Sequence, residues 1–353
     1  MDEPRRGVKS FFEHTSAAPI HDVSASIEGP AVADLRQSFL ELWDHDGAAA
    51  TPVETPQPAA ANTAVQIVRT LPGNLLPAVP QGETGILEAY LRAIREAEDY
   101  IFVDNQYFTD PVIGKALVNA LNHMPNVQVI MVLNGRIDIP FYQSLQTRLI
   151  MGMIDDLNAN AQSRFGAYTL WSHAAACTPQ RAIRIYTHAK AGVVDDKWAT
   201  LGSANLDGIS LRLSQHLIPP ISAQGRLEKR NIEINALIFS GVDGLPLSPV
   251  PGELRRILWA KYLGYQDADH LDLQARPPGG WLALWRDQAA TKLAGLKVSP
   301  PTGHPALILE WRPEADPVKH LLALGLSRAQ VLTNLVVESE GRSFNFETGQ
   351  WEN

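Results

Sequence analysis

His188 and Lys190 lie two residues apart and head a run of polar residues at fixed spacing: His188-x-Lys190-x4-Asp195-x6-Gly202-Ser203-x-Asn205. In a strand-like stretch, residues two apart project from the same face. The GSAN sequence follows a short second strand and reads as a tight turn that presents Ser203 and Asn205 beside that face. An imidazole, an ammonium, a hydroxyl and a carboxamide therefore converge on one spot. A phosphate diester calls for such a set. Cationic and neutral donors hold its non-bridging oxygens, while an imidazole attacks phosphorus or exchanges a proton. Lys190 supplies charge that a metal ion supplies in many other phosphoryl-transfer sites, so the chemistry requires no metal and no cofactor. Asp195 is ambiguous, because beside Asp196 it is either a solvated turn or a member of the active face. The other nine histidines carry the ordinary reading of structural residues.

The elements that must position these groups follow from hydrophobic period. Apolar residues near a 3.6 period predict a helix over 30–44, with Leu35, Phe39, Leu40 and Trp43 near one face. From about 65 the pattern alternates. Strands are expected at Val65–Arg69, Tyr100–Val103, Val127–Leu133, Ala167–Trp171, Ile183–Thr187, Gly192–Asp195 and Ile232–Phe239. Helices are expected at 85–98, from Pro111 with Asp110 as its cap, at 140–158 and at 252–263. Such alternation predicts an α/β fold, a layered β-sheet flanked by helices. Gly47 to Ala64, with three prolines and no aromatic residue, reads as an extended linker. Residues 266–353 open on Pro277-Pro278-Gly279-Gly280, offer a helix at 281–295 and show no readable role.

Composition bounds the partners. The chain has 353 residues, 45% hydrophobic and 19% charged, as globular proteins do. Its formal net charge of −8 disfavours nucleic acid as the main partner, since polyanion binding rests on basic surface. Cys177 is the only cysteine, so no intrachain disulfide can form. No signal peptide and no run near the roughly 20 apolar residues of a spanning helix is visible, which predicts a soluble or peripheral protein.

The segment YTHAKAGVVDDKWATLGSANLDGISL resembles the second HKD motif of the phospholipase D superfamily. Four further stretches are similar to parts of that family. EDYIFVDNQYF (98–108) resembles the signature ahead of the second motif, and RNIEINALIF (230–239) the strand whose acidic residue, here Glu233, orients the catalytic imidazole. LWAKYLG (258–264) resembles its closing helix, and HDVSASIEGPAVADLRQSFLELW (21–43) the segment that follows the first motif. No other His-x-Lys occurs in the chain, and Gly208-Ile209-Ser210 stands where the family often has Arg-Ser.

The resemblance implies a phosphohistidine mechanism with two histidines, in which His188 serves as acid and base. It implies that Lys190 and Asn205 grip the phosphoryl oxygens, that Ser203 donates to them or orients His188, and that Glu233 holds the imidazole. Gln106 is a supporting candidate. It also divides the chain into a remnant of the first lobe (1–46), the linker (47–64), a catalytic lobe (65–265) and an extension (266–353). The leading expectation is a phospholipase D half, inactive alone, that acts on phospholipid head groups at a membrane surface once joined by the missing half. The apolar stretch LRLSQHLIPPIS after Ser210 would suit an acyl chain. The alternatives are a one-motif homodimer of nuclease type and a non-catalytic remnant that binds lipid or another subunit.

Overall fold

The computed structural model describes residues 19–45, 47, 63–139, 141–174, 180–212, 231–241, 247–298, 301, 306–331, 335–337, 343–345 and 350–352. The expected linker (apart from its ends), Cys177 and most of the apolar stretch after Ser210 fall outside these residues.

Among the described residues the first elements are a two-residue strand β1 (Ile20–His21) and helix α1 (Val32–His45). Then come β2 (Ala64–Leu71), β3 (Glu83–Thr84), α2 (Gly85–Arg95), β4 (Tyr100–Asn105), α3 (Pro111–His123), β5 (Gln128–Leu133) and α4 (Tyr142–Asp156). A short α5 (Ala159–Gln162) leads to β6 (Phe165–Ala174), β7 (Gln180–Arg184), β8 (Tyr186–Thr187), β9 (Lys190–Val194) and β10 (Trp198–Gly202). After α6 (Gly208–Leu211) and β11 (Glu233–Phe239) the chain turns helical through α7 (Val250–Leu263), α8 (Leu271–Gln274) and α9 (Trp281–Lys297). It closes with β12 (Ala306–Glu310), α10 (Pro317–Ala323), β13 (Leu335–Val337) and a hairpin of β14 (Ser343–Asn345) and β15 (Gln350–Glu352).

One 11-stranded sheet organises the whole, in the order β13-β7-β6-β5-β4-β9-β10-β11-β2-β3, with β12 pairing β6 off that path. β4 and β9 lie side by side at its centre, and every residue of each is buried. Strands covered on both faces read as continuous apolar runs, which is why Tyr100–Val103 was legible as a strand. One face packs against α2, α3 and α4 through Ile86, Ile94, Leu117, Leu121, Ile150 and Met153. The other packs against α7 and α9 through Leu258, Trp259, Trp281 and Trp285. This is the expected α/β layering.

The Asp110 side chain accepts from the Val112 and Ile113 amides ahead of Pro111, so α3 starts where the sequence says it should. Residues beyond 265 are continuous with this core, since α9 supplies Trp281 and Trp285 to it and β12 runs antiparallel along β6. Arg255 of α7 joins the two ends of this face. Its guanidinium stacks over Trp259 and Trp281 while its Nε donates to Asp196 Oδ1 at 2.7 Å.

Candidate active site

Strand β9 begins at Lys190 and pairs with β4 so that Lys190 stands opposite Asn105. The Lys190 ammonium donates to Gln106 Oε1 at 2.8 Å and to the His188 carbonyl oxygen at 2.6 Å. It is only 7% exposed. Burial pulls its pKa down to about 8, against the smaller, opposing pull of the carboxylates of Asp22, Glu233, Asp104 and Asp207. Gln106 is itself held, its amide donating to the Tyr107 and Tyr186 hydroxyls at 2.8 and 3.0 Å. Both phenols in turn donate to Asp138 Oδ1 at 2.7 Å. The supporting role expected of Gln106 is thus a direct grip on the Lys190 ammonium.

His188 follows β8, which pairs in parallel with β1, and the His188 amide donates to the His21 carbonyl at 2.6 Å. That register brings Asp22 alongside the imidazole. His188 Nδ1 lies 2.8 Å from Asp22 Oδ2, with the two side chains 48% and 55% exposed. An ionised carboxylate only accepts, so Nδ1 carries the hydrogen and Nε2 is left for chemistry.

Two expectations are corrected here. Glu233 does not hold the imidazole. It is 8% exposed, and its carboxylate accepts from the Ser210 hydroxyl at 2.9 Å, from the Asn231 amide at 3.0 Å and from the Ser203 hydroxyl. The N-terminal segment brings Asp22 to the imidazole instead, at 2.8 Å from His188 Nδ1. Nor does Ser203 orient His188, because its hydroxyl hydrogen is committed to Glu233 while its oxygen accepts from the Ile234 amide at 3.1 Å.

Asp195 lies at the far end of β9 from Lys190 and does not join the site. Asp195 and Asp196 both have φ of 54°, and the Lys197 amide bonds back to the Val194 carbonyl at 2.9 Å. Two positive φ values in a two-residue hairpin define a type I′ turn, for which aspartate is among the few suitable residues. The Asp195 carboxylate then caps the start of β4, accepting from the amides of Glu98, Asp99 and Tyr100 at 2.7, 2.9 and 2.7 Å. The solvated-turn reading was closer, although this turn is tied to the core.

Asn205 sits in the turn after β10, and its Oδ1 is buried without a hydrogen-bond partner among the described residues. The glycine ahead of it is needed for close approach, because a Cβ at Gly202 would collide with Asn235 Oδ1 and the Ile234 carbonyl. The sequence reading missed Asp22, although it stands in the quoted segment HDVSAS. Its only signal was an acid in the N-terminal stretch, and nothing local ties that stretch to β8. No group of His, Cys, Asp and Glu suited to a metal ion occurs among the described residues.

Comparison with known proteins gives this arrangement a context. A family model described as "Cardiolipin synthase, PLD-like domain" matches residues 90–232, which include His188, Lys190 and Asn205. The chain is similar to Phospholipase D2 of Bos taurus, 22% identical over 330 residues that cover 77% of this chain and 33% of that protein. It is also similar to Phospholipase D1 of Schizosaccharomyces pombe, 26% identical over 305 residues that cover 70% of this chain and 21% of that protein. The chain thus spans a third or less of these two relatives. Among solved structures, the phospholipase D family member Nuc of Salmonella typhimurium matches 56% of this chain and 91% of its own, at 20% identity and a TM-score of 0.32. That TM-score is low, and the assignment rests on the sequence matches and the motif they enclose. The family model and the similarity to phospholipases D together support a member of the phospholipase D superfamily.

Proposed function

We propose that this chain is one catalytic half of a phospholipase D-type phosphodiesterase that acts on phospholipid head groups. The observation that carries the reading is the pairing of a buried Lys190 ammonium with an imidazole whose Nδ1 is tied down by Asp22. Lys190 and Asn205 offer charge and polarity to the non-bridging oxygens of a phosphodiester. His188 offers Nε2, as base when neutral and as acid when protonated.

In-line displacement puts nucleophile and leaving group on opposite sides of phosphorus, so a second histidine must come from another lobe. Glu233 marks where it would arrive. Its carboxylate is preorganised by Ser203, Ser210 and Asn231 and pairs with no histidine among the described residues. In the first step the incoming imidazole forms the P–N bond, the P–O bond to the head-group alcohol breaks, and His188 gives that oxygen its proton. In the second step His188 takes a proton from water, the water oxygen bonds to phosphorus, and the P–N bond breaks. The products are phosphatidic acid and the free alcohol, and a primary alcohol in place of water would give transfer.

What supports a lipid rather than a nucleic-acid substrate is charge, with the formal net charge at −8. The test is the assembled enzyme on phosphatidylcholine or phosphatidylethanolamine vesicles, set against single-stranded DNA across a salt series. Release of phosphatidic acid, and its diversion to an added primary alcohol, supports the proposal. Strongly salt-dependent DNA cleavage with no release of head group overturns it in favour of a nuclease.

A further inference from the structure

The residue just before Asp22, at the end of β1, is one that the reaction does not use. His21 is 2% exposed, in a strand only two residues long. Its Nε2 lies 2.6 Å from the Tyr262 hydroxyl oxygen of α7, whose hydrogen goes to Asp104 Oδ2. That commitment makes Nε2 the donor to Tyr262. Nδ1 lies 3.1 Å from the Lys261 ammonium, which can only donate, so Nδ1 accepts. The His21 and Tyr262 rings meet edge to face, with centroids 5.2 Å apart and planes at 87°. Asp104, fully buried in the central strand β4, lies 3.4 Å from His21 Nε2 through Oδ2. Its Oδ1 accepts from the Thr187 hydroxyl at 2.7 Å. Thr187 is the register partner of His21 and precedes His188.

Alternation along an extended strand sends His21 into the core and Asp22 out to the imidazole. A slip of one residue would invert both. Backbone bonds from β1 to β8 are too few to fix register strongly, and the buried contacts of His21 make up the deficit. We propose that His21 is a positioning residue. The linked chain Lys261–His21–Tyr262–Asp104–Thr187 locks the N-terminal strand in register, so the tautomer of His188 is set from helix α7. The inference deepens the proposed function, because it rests on His188 as the group that moves protons.

The test is a two-bond proton–nitrogen correlation spectrum of the full chain with labelled histidine, at a pH where imidazole is neutral, with His188 assigned by its loss in His188→Asn. The wild-type chain should show His188 protonated at Nδ1. Asp22→Asn should convert that signal to a mixture with the Nε2–H form. Tyr262→Phe removes one hydroxyl and keeps the ring against His21, so the fold should survive, and it should give the same mixture. The double variant should add nothing to Asp22→Asn alone. A His188 signal unchanged in Tyr262→Phe overturns the relay, as does a wild-type His188 protonated at Nε2. A tautomer shift in Tyr262→Phe, beside full head-group release by His188→Asn, would uphold the relay while the catalytic reading fell.

Discussion

His188 Nδ1 and Asp22 Oδ2 are 2.8 Å apart although 166 positions separate them in the chain. The contact joins the N-terminal segment to the motif and engages Nδ1 of the imidazole, so that the proposed chemistry falls to Nε2. Asp22→Asn should therefore lower kcat of the assembled enzyme by about 10²–10⁴-fold, the range seen when an orienting carboxylate is lost, with KM little changed. Steady-state kinetics on phospholipid vesicles measure this. A variant with full kcat would remove Asp22 from the mechanism.

Lys190 links activity to pH. Burial holds its pKa at about 8 against an ordinary 10.5, so the ammonium is lost as pH rises through about 8. Sulfate keeps its charge over that range, and its binding to the chain should weaken along the same limb. Lys190→Met should bind sulfate weakly at every pH. The stability effect has the opposite sense. Between about pH 8 and the unfolded value the folded chain holds fewer protons at this site than the unfolded one, so the burial penalty of Lys190 is relieved as pH rises. Lys292, lowered to about 8 by burial as well, adds a contribution of the same sign. Denaturant titrations of the wild type and Lys190→Met across pH 7 to 10, a window of roughly that span, separate the two lysines.

Asp195 gives a contrast. Its carboxylate accepts three backbone amides at the start of β4, so Asp195→Asn should cost about 1–3 kcal/mol of folding stability. Turnover per folded molecule should stay within about tenfold, whereas loss of an acid–base group such as His188 costs about 10²–10⁴-fold. Equilibrium unfolding and activity measured on one preparation decide it. An undiminished fold with abolished turnover would return Asp195 to the active face.

These cases show what the sequence made legible. Strands buried on both faces and the capped helix at Pro111 were readable because period and capping are local properties. His188, Lys190 and Asn205 were readable because one hairpin fixes their spacing. The partner of His188 was not, because it depends on β1 meeting β8, a contact between distant segments with no local pattern. Resemblance then pointed to Glu233, whose carboxylate instead accepts from Ser203, Ser210 and Asn231. Asp195 stayed ambiguous because hairpin turns and active sites both favour aspartate. The role of residues past 265 was hidden for the same reason as Asp22, since β12 pairs with β6 from more than a hundred positions away.

The central claim is that His188 and Lys190 form half of a site and that a second imidazole must meet Glu233. It is tested most directly by head-group release from phosphatidylcholine vesicles, measured for the purified chain alone and after mixing with a polypeptide that carries a complementary His-x-Lys half. The account predicts little or no release by the chain alone, restoration in the mixture, and loss of the restored activity in His188→Asn. Robust release by the isolated monomer would contradict it.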